Sequence, residues 1–256
     1  MKAEQKNQHD KIKQTFKEQA SGWQRPSQVV DSYTAKALSM LELQANDLVL
    51  DVACGSGLLS MVIAPEVDSV VATDITIEML QVAQGRHIDN LLCVQATAEN
   101  LPYPDASFDC VVTRYALHHM FDPANVLNEM IRVCRPGGQL MVMDLIAPDT
   151  PEEFDLYNTL ERRRDPSHTT ALRLETLKQF FADLKDVNHS VEQLPERDIK
   201  DWFDLAHTPD DVREDIHDIF QQELAGQITT GFNPVERDGK IMFVHTIGII
   251  IGTKND

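Results

Sequence analysis

The sequence predicts an α/β protein built on one seven-stranded, mostly parallel sheet with helices on both faces. Three observations carry this. From Leu48 onward, short aliphatic and β-branched runs alternate with stretches of helical spacing, the order that successive βαβ units produce. The runs are apolar almost throughout rather than alternating, so both faces of each strand should be covered. The first run passes straight into Gly55-Ser56-Gly57 and then a helical stretch, which is how a βαβ unit opens.

The elements follow in order. Ile12, Phe16 and Ala20 recur at four-residue spacing on an otherwise polar, helix-favouring segment, a short helix that needs a surface to lie on. After Ser21-Gly22-Trp23 and Pro26, residues 29–43 repeat apolar positions at helical spacing and end in Gln44-Ala45-Asn46-Asp47, a turn. Strands are then expected at 48–52, 69–73, 91–95, 108–113 and 139–145, with helices at 58–64, 75–84 and 124–133. Beyond Pro148 the chain becomes helix-rich and charged, with helices expected at 154–164, 174–184 and 211–224 and strands at 187–194 and 241–250. The last strand needs a partner, which favours one sheet interrupted by a helical insertion over two independent domains.

The chain has 256 residues, and 23 Lys and Arg stand against 41 Asp and Glu, a formal charge of −18. Such a surface repels phosphate backbones and anionic membranes, so nucleic acid and lipid headgroups are poor partners. With 42% hydrophobic residues the chain should fold by burial alone. Cys54, Cys93, Cys110 and Cys134 form no C-x-x-C pair and are expected to be buried, reduced thiols. No apolar run follows the Lys- and Gln-rich start, and the stretch 246–252 is far short of a membrane span. A soluble cytoplasmic protein is expected.

Asp51-Val52-Ala53-Cys54-Gly55-Ser56-Gly57 is the most informative segment. Two glycines between a buried strand and a helix let a ligand approach the backbone closely, although a tight βα turn alone would use them as well. A dinucleotide site would want a third glycine where Ser60 stands, which counts against a nicotinamide-dependent oxidoreductase. Asp51, before the glycines, suits a ligand bearing an ammonium rather than a pyrophosphate. Asp74 closes the second strand, where a carboxylate can accept both hydroxyl protons of a ribose.

With these, Ala98-Glu99-Asn100-Leu101-Pro102, Phe108-Asp109-Cys110-Val111-Val112 and Arg132-Val133-Cys134-Arg135-Pro136-Gly137-Gly138 complete an ordered set. It resembles the motif set of the class I S-adenosylmethionine (SAM)-dependent methyltransferases, in particular the branch of the ubiquinone and menaquinone biosynthesis C-methyltransferases. The resemblance covers roughly residues 47–145. It implies a Rossmann-like sheet with an antiparallel last strand and a helical insertion that caps the acceptor. Residues 1–46 would be lid helices, 47–147 the cofactor-binding core, 148–240 the acceptor-binding region and 241–256 the last strand. The cofactor would be SAM, leaving as S-adenosylhomocysteine (SAH). The resemblance places Gly55 and Gly57, with Ala53 and Ser56 in the same turn, around the methionine moiety and Asp51 near its ammonium. Asp74 would hold the ribose, Ile75 and Met79 would lie against adenine, and Ala98 and Glu99 would border its edge. Thr113 and Arg114 would line the methionine end, and Phe16, Gln19 and Trp23 would form a lid. Related sequences often carry an acid at the position of Thr97, so the adenine contact departs from the pattern here.

Methyl transfer from a sulfonium is an in-line displacement, in which the protein aligns the groups and excludes water. A base is needed only for an acceptor that is a poor nucleophile at neutral pH, such as a phenol or an activated carbon. His118 and His119, after the fourth strand, are the candidate bases. One of such a pair commonly makes a structural hydrogen bond, and no Cys/His/carboxylate cluster accompanies them to bind a metal. Arg164-Asp165-Pro166-Ser167-His168 resembles a signature of a small-molecule methyltransferase-like subgroup, which makes Arg164 and His168 candidate acceptor-binding residues. Arg162 and Arg163 read as a solvated helix face, although a basic cluster could steer an acidic substrate. Trp202-Phe203 reads as helix packing that could also wall an apolar pocket. A small-molecule methyltransferase is therefore expected, with a methyltransferase-like scaffold that no longer transfers methyl groups as the alternative.

Overall fold

The computed structural model describes residues 3–20, 22 and 31–255. Helix α1 (Ala3–Gln19) buries Gln8, His9 and Ile12, and its Phe16 packs with Met79 and Val82. The surface the N-terminal helix needs is therefore the fourth helix of the chain. Helix α2 (Ser32–Ser39) starts at Asp31, whose side chain accepts the Thr34 N–H at 2.7 Å, a side-chain cap on an otherwise orphaned donor. It is shorter than the 29–43 pattern implies, because the chain leaves the helix at Met40 to bury Leu41 under the sheet. Residues 29 and 30 lie outside the described residues.

The βα succession follows: β1 (Leu48–Val52), α3 (Leu58–Ile63), β2 (Ser69–Asp74), α4 (Ile77–Gln84), β3 (Leu91–Gln95), β4 (Phe108–Arg114), α5 (Pro123–Val133) and β5 (Cys134–Leu145). Strand β5 starts earlier than expected, with a register shift against β4 across Arg135-Pro136-Gly137-Gly138. The next stretch comprises α6 (Pro151–Arg164), α7 (Leu174–Phe180), β6 (Lys185–Gln193), β7 (Arg197–Asp198), α8 (Ile199–Leu205), α9 (Asp210–Leu224), β8 (Val235–Arg237) and β9 (Lys240–Phe243); β6 joins the main sheet and the others form the cap. The chain closes with β10 (Thr246–Thr253). Among the described residues no helix is long and apolar enough to cross a membrane.

The main sheet has the order β3-β2-β1-β4-β5-β10-β6. Strands β1 to β5 are parallel, and β10 runs antiparallel to both β5 and β6. The order reverses between β1 and β4, and there the carboxyl ends of the strands open a crevice. Alternate residues feed two apolar layers. Leu50, Val111 and Val142 pack against Val126, Leu127 and Met130 of α5, while Val49, Val112 and Met143 pack against Leu59 and Ile63 of α3. Helix α5 buries that stripe because Asp122 caps it and Pro123 opens it.

Two expectations are corrected. The run expected as one last strand over 241–250 divides at Val244 and His245. Residues 241–243 belong to β9, which pairs with β7 and β8 in a separate three-stranded sheet, and the last strand starts at Thr246. His245 leaves the ladder because its ring bonds Glu161 of α6 at 2.8 Å, and Ile241 and Phe243 turn into an aromatic cluster around Trp202, Phe220 and Phe232. The helix expected over 174–184 stops at Phe180, and the chain turns so that Phe181 packs under β10.

Candidate active site

A cavity of about 880 Å³ lies over the carboxyl ends of β1, β2 and β4, between α1 and the cap. Its first half is built by the glycine turn. Gly55, at φ +52°, turns its N–H onto Asp74 Oδ2 at 2.9 Å, and Thr76 N–H bonds Oδ1 at 2.7 Å, so Asp74 is fixed at the crevice by backbone donors. Asp51 is 1% exposed and accepts the Ser60 hydroxyl at 2.6 Å. Ser60, the residue in place of a third glycine, thus holds the first acidic side chain. Glu99 meets His9 Nε2 of α1 at 3.2 Å through Oε2, while its buried Oε1 has no partner among the described residues. Burial lifts the Asp51 carboxyl to about 7 against the Ser60 hydrogen bonds, and it raises Asp74 against its backbone donors.

The second half holds two histidines in opposed states. His118 Nδ1 bonds Asp144 Oδ1, and Asp144 Oδ2 accepts the N–H groups of Ala116 at 3.1 Å and Leu117 at 2.6 Å. Burial works against the imidazolium of His118, but Asp144 outweighs it and raises its pKa. His119 is pushed down to about 4 by burial and by the charge of His118. Its Nδ1 lies 3.1 Å from Ser167 Oγ, which donates to Asp165 Oδ1 at 2.6 Å. With the Ser167 proton spent on Asp165, the ring must donate from Nδ1, which leaves Nε2 as a bare acceptor. Gln8 of α1 donates to the carbonyls of His119 at 2.9 Å and Ser167 at 2.6 Å, which ties the first helix to this wall.

Comparison with known proteins adds the family. A model of the methyltransferase domain matches residues 50–142. The chain is 35% identical over 165 residues to the uncharacterized methyltransferase YcgJ of Bacillus subtilis, covering 63% of this chain and 62% of that protein. The crystal structure of YcgJ superposes with a TM-score of 0.77 at 27% identity, over 87% of this chain and 98% of that one. The chain is 31% identical over 191 residues to the 27-O-demethylrifamycin SV methyltransferase of Amycolatopsis mediterranei, 71% of this chain and 69% of that protein. It belongs to the class I SAM-dependent methyltransferases. Its core is also 40% identical over 128 residues to the ubiquinone/menaquinone biosynthesis C-methyltransferase UbiE of Hahella chejuensis, 45% of this chain and 51% of that protein. The chain thus spans less than two thirds of the YcgJ and UbiE sequences.

The first half of the cavity fits the methyl donor of this family. Three carboxylates converge there, one with an unpartnered oxygen and one pushed up to about 7, and SAM offers an ammonium, a ribose diol and an adenine amine to satisfy them. Phe16, Gln19, Ala53, Gly55, Ser56, Ile75, Met79 and Ala98 line the cavity, as do Arg114 and Arg164, and the charge of Arg114 acts on Asp51.

Three expected contacts are corrected. Gly57 does not reach the cavity; a Cβ there would lie 2.9 Å from the Ala83 Cβ, so its role is the close approach of α3 to α4. Thr113 is turned away, donating to Val52 O at 2.9 Å and locking β4 to β1. His168 is buried behind the wall, bonding Asn158 Oδ1 at 3.1 Å, and burial drives it down to about 3. Arg164 lines the cavity but is neutralised by Glu161 at 3.1 Å and Asp165 at 3.6 Å. All four cysteines are free, yet only Cys110 and Cys134 are buried; Cys54 and Cys93 are half-buried. Trp23 lies outside the described residues. Trp202 packs in the cap and also lines the cavity.

Sequence reasoning missed His9, Asp144, Asp165 and Ser167. His9 had a signal, since it lies three residues before Ile12 on the stripe that continues to Phe16. Asp144 had one too, because it ends an apolar strand as Asp51 and Asp74 do. Asp165 and Ser167 lie within a motif already singled out, but their bonds to one another and to His119 are tertiary.

Proposed function

We propose that the protein transfers a methyl group from SAM to a small-molecule acceptor that must lose a proton. The observation carrying this reading is one cavity lined both by the carboxylates Asp51, Asp74 and Glu99 and by His119, whose Nδ1 is held by Ser167 and whose pKa burial pushes down to about 4. Asp51, Asp74 and Glu99 hold the cofactor; when bound, it supplies an electrophilic methyl on a sulfonium. Helix α1 and the cap exclude water and align the acceptor, which can provide roughly 7–11 kcal/mol of barrier reduction without a covalent intermediate.

His119 Nε2 takes the acceptor's proton and later returns it to solvent. Asp165, acting through Ser167, steadies the positive charge that the ring acquires. His118 stays paired with Asp144, and its charge favours an anion forming on the acceptor. Neighbouring groups with pKa values pushed apart in this way divide acid and base roles. One relative is named for a 27-O-demethylrifamycin SV acceptor and another for C-methylation in ubiquinone and menaquinone biosynthesis, which supports an oxygen or carbon acceptor here.

The first test is calorimetric titration of ligand-free protein with SAM and SAH, with NAD as the control. Saturable micromolar binding of the first two and none of NAD is expected. A folded protein that binds neither is a scaffold instead.

A further inference from the structure

Among the described residues, one basic side chain in the cap-side half of the cavity has no hydrogen bond or ion pair. The other basic side chains there are committed: Arg114 to Asp31 at 2.7 Å, Arg164 to Glu161 and Asp165, Lys240 to Asp198 at 3.0 Å, His245 to Glu161. Arg197, at the start of β7, lines the same half. Its guanidinium makes no hydrogen bond or ion pair among the described residues. Nearby Glu161 is already engaged twice, and Asp201 is exposed. Arg197 is half-buried; burial and the charge of Arg164 work against its cation, and Glu161, Tyr115 and Asp201 support it from a distance without an ion pair.

A second unsatisfied donor lines the cavity, since the Trp202 indole N–H is buried without a partner among the described residues. The two ends of the cavity are therefore opposite in kind, with spare acceptors where the cofactor is held and spare donors beneath the cap. We propose that the methyl acceptor carries a carboxylate, bound by the Arg197 guanidinium with the Trp202 N–H as a further donor. A guanidinium presents two parallel N–H groups that match a carboxylate edge. The inference rests on reading this half as the acceptor site. It also relocates the basic feature of the sequence, because Arg162 bonds the Thr169 carbonyl and Arg163 pairs with Asp215 on the outer side of α6.

The test uses the full chain saturated with SAH, titrated with benzoate, salicylate and 3,4-dihydroxybenzoate, each beside its carboxamide. At least one acid is expected to bind about 10- to 100-fold tighter than its amide. Arg197→Met abolishes that preference, Arg197→Lys keeps part of it, and Arg163→Met leaves it intact. SAH affinity and thermal midpoint, unchanged across the variants, show that the fold and cofactor half are preserved. Intact SAH binding with no acid preferred over its amide, or a preference that survives Arg197→Met, overturns the inference alone. Failure of the unmodified protein to bind SAH overturns the methyltransferase reading and the inference with it.

Discussion

Burial lifts the Asp51 carboxyl to about 7 even with the charge of Arg114 lowering it, which leaves it open to a cationic ligand. An ammonium favours the carboxylate, hence the bound pKa lies below the free one and binding expels a proton wherever Asp51 is protonated beforehand. SAH affinity should therefore be level above pH 7 and weaker below it, by about tenfold between pH 8 and pH 6. Asp51→Asn should give weak binding with a flat profile; a flat profile in the unmodified protein would contradict the assignment. Asp74→Ala should weaken SAH binding by about 1.5–3 kcal/mol, the range for charge-assisted hydrogen bonds, and unchanged calorimetric affinity in a folded variant would remove Asp74 from the site. His119→Ala should slow transfer to a proton-bearing acceptor by about 10²- to 10⁴-fold with SAH affinity intact. Equal turnover in that variant would exclude His119 as the base.

At the scale of elements, the glycine turn works through close packing as much as through ligand access. Gly57 sits at φ +75° against Ala83, so Gly57→Ala adds left-handed strain and a steric overlap. Urea unfolding should show a loss of about 1–3 kcal/mol; full stability would mean that α3 and α4 separate freely. The strands and helices around this turn were legible because apolar periodicity is local. The break between β9 and β10 was not. Ile241 to Ile250 is one β-favouring run, and only the partners on either side, the aromatic cluster and the main sheet, divide it. The three-residue strand β8 and two-residue strand β7 were also invisible, since neither is long enough to show alternation.

The whole molecule is closed by β10, which lies between β5 of the core and β6. Cap and core are therefore expected to unfold as one unit rather than in sequence. Trp202 reports the cap, so in a Trp23→Phe background its fluorescence and the far-UV circular dichroism should give coincident urea transitions. Two separated midpoints would show that the cap folds independently. The charge of −18 belongs to this scale as well: it disfavours phosphate-backbone partners, but it does not describe the local field of a cavity lined by an Arg197 that has no ion-pair partner among the described residues.

The sequence by itself determined the βα order, the strand-end carboxylates Asp51 and Asp74, the turning Gly55 and the family resemblance, because strand-end position and apolar period are short-range properties. Only the tertiary structure decided which side chains partner one another. His9 meets Glu99 across 90 positions and Gln8 reaches Ser167 across 159. Likewise, Thr113 and His168 turn from the cavity while Arg197 faces it. Hydrogen-bond and ion-pair partners are chosen by what the packed core brings into reach, and the local pattern of a chain does not encode that choice.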